Sequence, residues 1–69
     1  MIEVFKTNVQ EVGQSKMILA KLLEHFPDGT INFDLEDCDK ILRVHAPSIC
    51  NDSIIRLLNL YGFHCEVLL

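Results

Sequence analysis

Residues 31–46 read INFDLEDCDKILRVHA, and this stretch decides the fold. Apolar and polar residues alternate in both of its halves, with the apolar positions at Ile31, Phe33 and Leu35 and then at Leu42, Val44 and Ala46. Alternation with a period of two predicts strands that bury one face. The polar link over residues 36–39 is short, so the two strands are predicted to form an antiparallel hairpin.

The segment before this hairpin predicts a strand and then a helix. Residues 2–6 alternate, and we place Glu3 and Phe5 on the opposite side from Ile2 and Val4. From about Val9 to Phe26, apolar residues recur at helical spacings of three, four and seven: Val12, Leu19, Leu22, Leu23 and Phe26. Asn8 is the predicted N-cap, with Glu11 in the capping-box position.

The segment after the hairpin predicts a second helix and a fourth strand. Pro47 ends the preceding strand, and Ser48, Cys50 and Asn51 are all candidate N-caps. Gly62 is expected just beyond the C-terminus of the helix, where a glycine is favoured. The alternation from Phe63 to Leu69 then predicts the last strand.

The resulting order, βαββαβ, predicts an α+β protein with a single domain over residues 1–69. Right-handed crossovers around a central hairpin give the ferredoxin-like split βαβ sandwich. Its antiparallel sheet has the strand order 4-1-3-2, and both helices lie on one face. The other face is left open to solvent or to a partner.

Composition excludes several classes of protein. The chain has 69 residues, is 49% hydrophobic and has a mean hydropathy of +0.24, so it is not intrinsically disordered. The apolar runs are too short for a membrane-spanning helix. A net charge of −4 argues against binding to nucleic acid or to anionic lipid.

The expected compartment is the reducing cytoplasm. Cys38, Cys50 and Cys65 are odd in number and widely spaced, which is not typical of a disulfide framework. The first residues show no basic region followed by an apolar stretch, as a signal peptide would.

Several stretches resemble the heavy-metal-associated domain, the small metallochaperone family. Residues 31–36 and 40–44 resemble its second and third strands, and residues 53–58 with 61–63 resemble its second helix and the glycine-aromatic turn that follows. The resemblance implies the ferredoxin-like fold over nearly the whole chain. In the family, two thiolates of a Met-x-Cys-x-x-Cys loop after the first strand bind copper(I) or zinc.

The corresponding stretch here, residues 6–15, contains no cysteine. Depending on the register, Val12 and Ser15 or Thr7 and Gln10 stand at the thiolate positions. We therefore expect no cofactor. The alternative is an atypical carrier that holds copper(I) or zinc with His64, Cys65 or loop oxygens. Both residues also have simpler interpretations, His64 as an exposed histidine of the sheet and Cys65 as a core thiol.

The remaining candidate surface is the open face of the sheet. We assign to it Glu3, Phe5, Asn32, Asp34, Ile41, Arg43, His45, His64, Glu66 and Leu68. Its predicted interface residues are Phe5, Ile41, Arg43 and Leu68, and Arg43 can pair with Glu3 or Asp34 across the strands. No nucleophile motif or phosphate-binding glycine loop is present. The sequence thus predicts a non-enzymatic module that associates with itself or with a protein partner.

Overall fold

The chain alternates strands and helices in the predicted order. A computed structural model describes residues 1–68. The elements are β1 (Ile2–Thr7), α1 (Val12–His25), β2 (Thr30–Asp34), β3 (Ile41–His45), α2 (Asn51–Leu60) and β4 (Cys65–Val67). Leu69, the last residue of the predicted fourth strand, lies outside the described residues.

The strands form one antiparallel sheet in the order β2-β3-β1-β4, which is 4-1-3-2 when read from the β4 edge. β2 and β3 form the predicted hairpin, in register from Thr30 opposite His45 to Asp34 opposite Ile41. β1 is central, because it pairs with β3 and with β4. The described part of the chain therefore has an α+β architecture of two helices and a four-stranded antiparallel sheet.

Both helices cover the same face of this sheet. The core cluster unites fully buried residues of the two helices with strand residues that share one face: Ile18 and Leu22 of α1, Ile54 and Leu58 of α2, and Phe5, Leu42, Val44 and Cys65 of the sheet. Burial of each large apolar side chain contributes about 1.5–3 kcal/mol. Within the described residues, the opposite face of the sheet has no helix packed on it.

Phe5 belongs to this core, so its assignment to the open face was wrong. Its side chain is completely buried, and its cross-strand partner is Leu42. Both alternating sets of β1 contain apolar residues, and the larger apolar area of the phenyl ring favours its burial over that of Ile2 and Val4. Glu3 consequently shares the covered face, and Ile2 and Val4 lie on the open one.

The start of α1 also differs from the prediction. The helix begins at Val12, because the loop before it is held by other bonds. The Thr7 hydroxyl oxygen accepts a hydrogen bond from the Val9 amide (3.2 Å), and the Val9 side chain is completely buried. The capping interaction lies three residues after Asn8, where the Glu11 amide donates to Gln14 Oε1 (3.4 Å).

The buried side of α1 also differs from the predicted stripe. Ser15, Ile18 and Leu22 face the core. Val12, which the predicted stripe included, lies in the first turn and is 61% exposed.

The ends of α2 follow the local sequence. Of the three candidate N-caps, Cys50 occupies the position. Gly62 has a φ of +88°, and the amide of Phe63 donates to the Leu58 carbonyl (2.9 Å). This is the predicted glycine turn at the C-terminus of a helix. Within residues 1–68, neither helix has the length and hydropathy needed to cross a bilayer.

Candidate interaction surface

The sheet face without helices, called the open face below, presents one side of every strand. The pairing register places ten residues on it: Ile2, Val4, Lys6, Thr30, Asn32, Asp34, Ile41, Arg43, His45 and Glu66. His64 and Leu68, which flank β4, join them through the His64–Glu66 contact and the Leu68–Val4 hydrogen bond. For β2, β3 and β4 this agrees with the sequence analysis. For β1 the set is inverted, because Phe5 faces the core.

Apolar residues on the open face gather along β1 and β4. Ile2 is 64% exposed, Leu68 is 38% exposed, and Val4 between them is half-buried. The Leu68 amide donates to the Val4 carbonyl (2.9 Å), so these two side chains are cross-strand neighbours. We call Ile2, Val4 and Leu68 the apolar ridge.

Charged residues flank the apolar ridge on the β3 side and at the Lys6 end, and their signs are balanced. Lys6 lies directly opposite Glu66 across β1 and β4. Arg43 lies 3.9 Å from Asp34, which is one of the two predicted pairings, and its Nη1 donates to Asn32 Oδ1 (3.4 Å). With two basic and two acidic residues, the open face has no net charge when its histidines are neutral, although the chain carries −4.

The four predicted interface residues therefore have different positions. Arg43 and Leu68 are exposed on the open face. Ile41 points to that face but is only 4% exposed, between Asp34 on β2 and the Lys6 position on β1. Phe5 is in the core. Ile2, Val4 and Lys6 were not predicted on the open face, and the alternation in residues 2–6 places them there once Phe5 faces the core.

The structure does not bring His64 and Cys65 together. Cys65 is buried on the covered face opposite Thr7, and burial raises the pKa of its thiol to about 12. His64 is exposed on the other side, with its Nε2 atom 3.4 Å from Glu66 Oε2 and its amide bonded to Asn8 Oδ1 (2.7 Å). A thiol that stays protonated and faces the core is a poor metal ligand.

The other thiols are exposed. Cys50 occupies the N-cap position of α2, and hydrogen bonds from the side chain and then the backbone of Ser53 lower the pKa of its thiol. Cys38 lies in the β2–β3 turn, where its sulfur and the carboxylates of Asp37 and Asp39 have ligand atoms within 4.8 Å of one another. The Asp39 Oδ1 atom also lies 3.8 Å from the Lys6 Nζ atom.

A shallow groove lies on the helical side of the molecule, between the C-terminal half of α1 and the outer flank of α2. Its volume is about 400 Å³, and its lining is mostly apolar: Leu22, His25, Phe26, Ser53, Arg56, Leu57 and Leu60. Leu60 at its rim is 78% exposed. This groove was not predicted, and Leu60 provides the matched control residue for tests of the open face.

Comparison with known proteins adds no assignment. The sequence matches no protein-family model, and it has no significant match among curated proteins or solved structures. The function must therefore be argued from the residues of this chain.

Proposed function

We propose that this chain is a small non-enzymatic binding module that acts by protein–protein association through the open face of its sheet. The observation that carries the proposal is the apolar ridge of Ile2, Val4 and Leu68, in which Ile2 and Leu68 are exposed and which charged residues of both signs flank. Exposed contiguous apolar surface rimmed by polar residues is typical of protein interaction sites.

The proposal extends to the fold family and the compartment. The βαββαβ order and the sheet order support a ferredoxin-like fold similar to the heavy-metal-associated domain. The absence of thiolates in residues 6–15 supports a module that has lost the metal transfer of that family. Its free cysteines support a reducing, cytoplasmic location.

Charge supports a protein partner over a nucleic acid. Phosphate backbones are bound by clusters of Lys and Arg. On the open face, Lys6 and Arg43 each have an acidic neighbour within 4 Å, at Asp39 and Asp34. This surface therefore lacks the excess of positive charge that nucleic-acid binding needs.

The test compares Leu68→Asp with Leu60→Asp. Both substitutions place a carboxylate at an exposed leucine, one on the open face and one on the helical side. The self-association of each variant is measured by sedimentation velocity. Complexes with partners from the source organism are trapped by a photo-cross-linking residue at position 2 and identified by mass spectrometry.

We expect Leu68→Asp to weaken a complex roughly tenfold or more, because the carboxylate is desolvated there without a partner. Leu60→Asp should leave the same complex unchanged. The absence of any complex, or complexes that respond to Leu60→Asp and not to Leu68→Asp, would contradict the proposal.

A further inference from the structure

The register of β1 and β4 makes this half of the open face complementary to itself. Val4 lies opposite Leu68, and one step along the strands Lys6 lies opposite Glu66. One cross-strand pair therefore consists of two apolar residues, and the next consists of a positive and a negative residue.

Two copies can face each other across a two-fold axis that lies above the open face, parallel to the strands and midway between β1 and β4. This axis stacks β1 of one copy over β4 of the other. Val4 then meets Leu68 of the second copy, and Lys6 meets Glu66 of the second copy, each twice because the contact is isologous. Stacked sheets cross at about 30°, so this match holds for the residues near the axis, which are these four.

We propose that the open face binds a second copy of this chain in this arrangement, an inference that rests on the proposed function and names its partner. Charge complementarity favours a second copy of the chain as the partner of the open face. Two chains of net charge −4 repel each other, and the repulsion is smallest where neutral surfaces meet. Reciprocal Lys6–Glu66 pairs then add attraction and fix the register.

The charged residues are free to form these contacts. The Lys6 side chain is 47% exposed and that of Glu66 is 55% exposed. Their present neighbours, Asp39 and His64, lie at 3.8 Å and 3.4 Å at the surface and do not bury either group. Substitution of an exposed charge of this kind changes folding stability little, so the variants below are expected to fold.

The dimer is expected to be weak. Contacts along two short strands fall at the small end of the interfaces that proteins use. The experiment is therefore sedimentation equilibrium of the unmodified chain at concentrations up to roughly 1 mM.

The decisive variants are Lys6→Glu and Glu66→Lys. Alone, each places like charges at both reciprocal contacts, and self-association should weaken roughly tenfold or more. An equimolar mixture of the two should form a heterodimer with the affinity of the original homodimer, because each of its two contacts again joins one carboxylate to one ammonium group. The double variant should dimerise by itself.

Matched controls change the same charges on α1. Lys16→Glu and Glu24→Lys alter the net charge of the chain by the same amounts at exposed helical positions. Each should self-associate like the unmodified chain, and their mixture should show no added affinity. This pair separates a specific contact from an effect of net charge.

The outcomes separate this inference from the function it rests on. The chain could be monomeric up to the highest concentration and still form a partner complex that Leu68→Asp weakens. In that case the proposal of a second copy as partner is wrong, and the proposal of a binding module is supported. If the unmodified chain dimerises but the mixture of charge variants does not regain its affinity, the proposed stacking of β1 over β4 is wrong. If neither self-association nor a partner complex occurs, both proposals fail.

Discussion

Thr7 holds together two segments that are distant in sequence. Its hydroxyl donates to the Lys40 carbonyl (2.6 Å) and accepts from the Val9 amide (3.2 Å), and the residue is only 5% exposed. Lys40 has a φ of +48°, a conformation uncommon for a residue with a side chain. The Thr7 bond therefore stabilises the β2–β3 turn as well as the loop before α1.

Thr7→Val should destabilise the fold by about 1–3 kcal/mol, because it removes the acceptor of a buried amide and the donor to a carbonyl while keeping the side-chain volume. Thr7→Ser is the control, since it keeps the hydroxyl and loses only a methyl group. Urea unfolding followed by circular dichroism gives both free energies. A Thr7→Val variant as stable as the unmodified chain would show that the hydroxyl contributes nothing.

Cys65 predicts a loss of stability in alkali. Its thiol is buried in the folded chain, and the pKa is raised from 9.0 to about 12 by desolvation, with a smaller effect of the Glu66 charge. Above pH 9 the unfolded chain releases this proton while the folded chain keeps it, so its contribution to the free energy of unfolding declines from pH 9 towards 12. Below this range the contribution does not vary.

Cys65→Val removes this proton and should give a shallower decline of stability than the unmodified chain between about pH 9 and 11. Cys50→Val is the matched control, because Cys50 is exposed and its pKa is lowered. Urea unfolding at each pH measures the slopes. Identical slopes for the chain and its Cys65→Val variant would contradict a protonated, buried thiol.

At the scale of the element, substitution by alanine should change the folding stability in opposite directions at Gly13 and Gly62, although the two glycines have similar surroundings. A Cβ atom at Gly13 or at Gly62 would meet no atom within 4 Å, so steric contact is absent at both. Gly62 has a φ of +88°, whereas Gly13 lies in the first turn of α1. Only backbone conformation distinguishes the two sites.

Gly62→Ala should therefore destabilise the fold by about 1–2 kcal/mol, the cost of the left-handed conformation for an alanine. Gly13→Ala should stabilise it by about 0.5–1 kcal/mol, because alanine loses less conformational freedom in a helix. Thermal unfolding of the two variants measures the difference. The interpretation of the Gly62 turn is wrong if its alanine variant is as stable as the unmodified chain.

Elements whose ends are decided locally could be predicted from the sequence. The hairpin strands and the glycine turn after α2 depend on residues within a few positions of one another. The strands lie within about one residue of their predicted bounds, and the glycine turn lies where the sequence places it. The start of α1, in contrast, does not lie where the sequence places it. Asn8 with Glu11 and Glu11 with Gln14 both have the spacing of a capping box. The observed start follows Glu11, after a loop that makes contacts distant in sequence, such as the Thr7–Lys40 hydrogen bond across 33 positions.

At the scale of the molecule, the strand arrangement follows from chain connectivity, but the orientation of β1 does not. Its two alternating sets are both partly apolar, and only packing against Leu42 and the helices decides which set is buried. A one-residue change of register moves every side chain to the other face. The side of the sheet was therefore predicted correctly for the residues of β2, β3 and β4 and incorrectly for those of β1, although Ile41 on β3 is buried.

Dimerisation through the open face predicts that thermal stability depends on concentration. A partner that binds only the folded state adds RT ln(1 + [L]/Kd), about 2.7 kcal/mol at a hundredfold excess over Kd. For a domain of this size, about 1 kcal/mol raises the Tm by about 4–8 °C. A weak dimer should thus give a rise of several degrees between roughly 10 µM and 1 mM.

Lys6→Glu should remove this dependence, because it places like charges at both reciprocal contacts, while Lys16→Glu should retain it. Calorimetry of the three chains at matched concentrations measures the effect. Leu60→Ser distinguishes the rival surface, since Leu60 lies at the rim of the helical groove. A concentration dependence that Leu60→Ser abolishes and Lys6→Glu leaves intact would assign self-association to the helices. A Tm that is the same at every concentration would mean that this small domain gains no stability from a second copy.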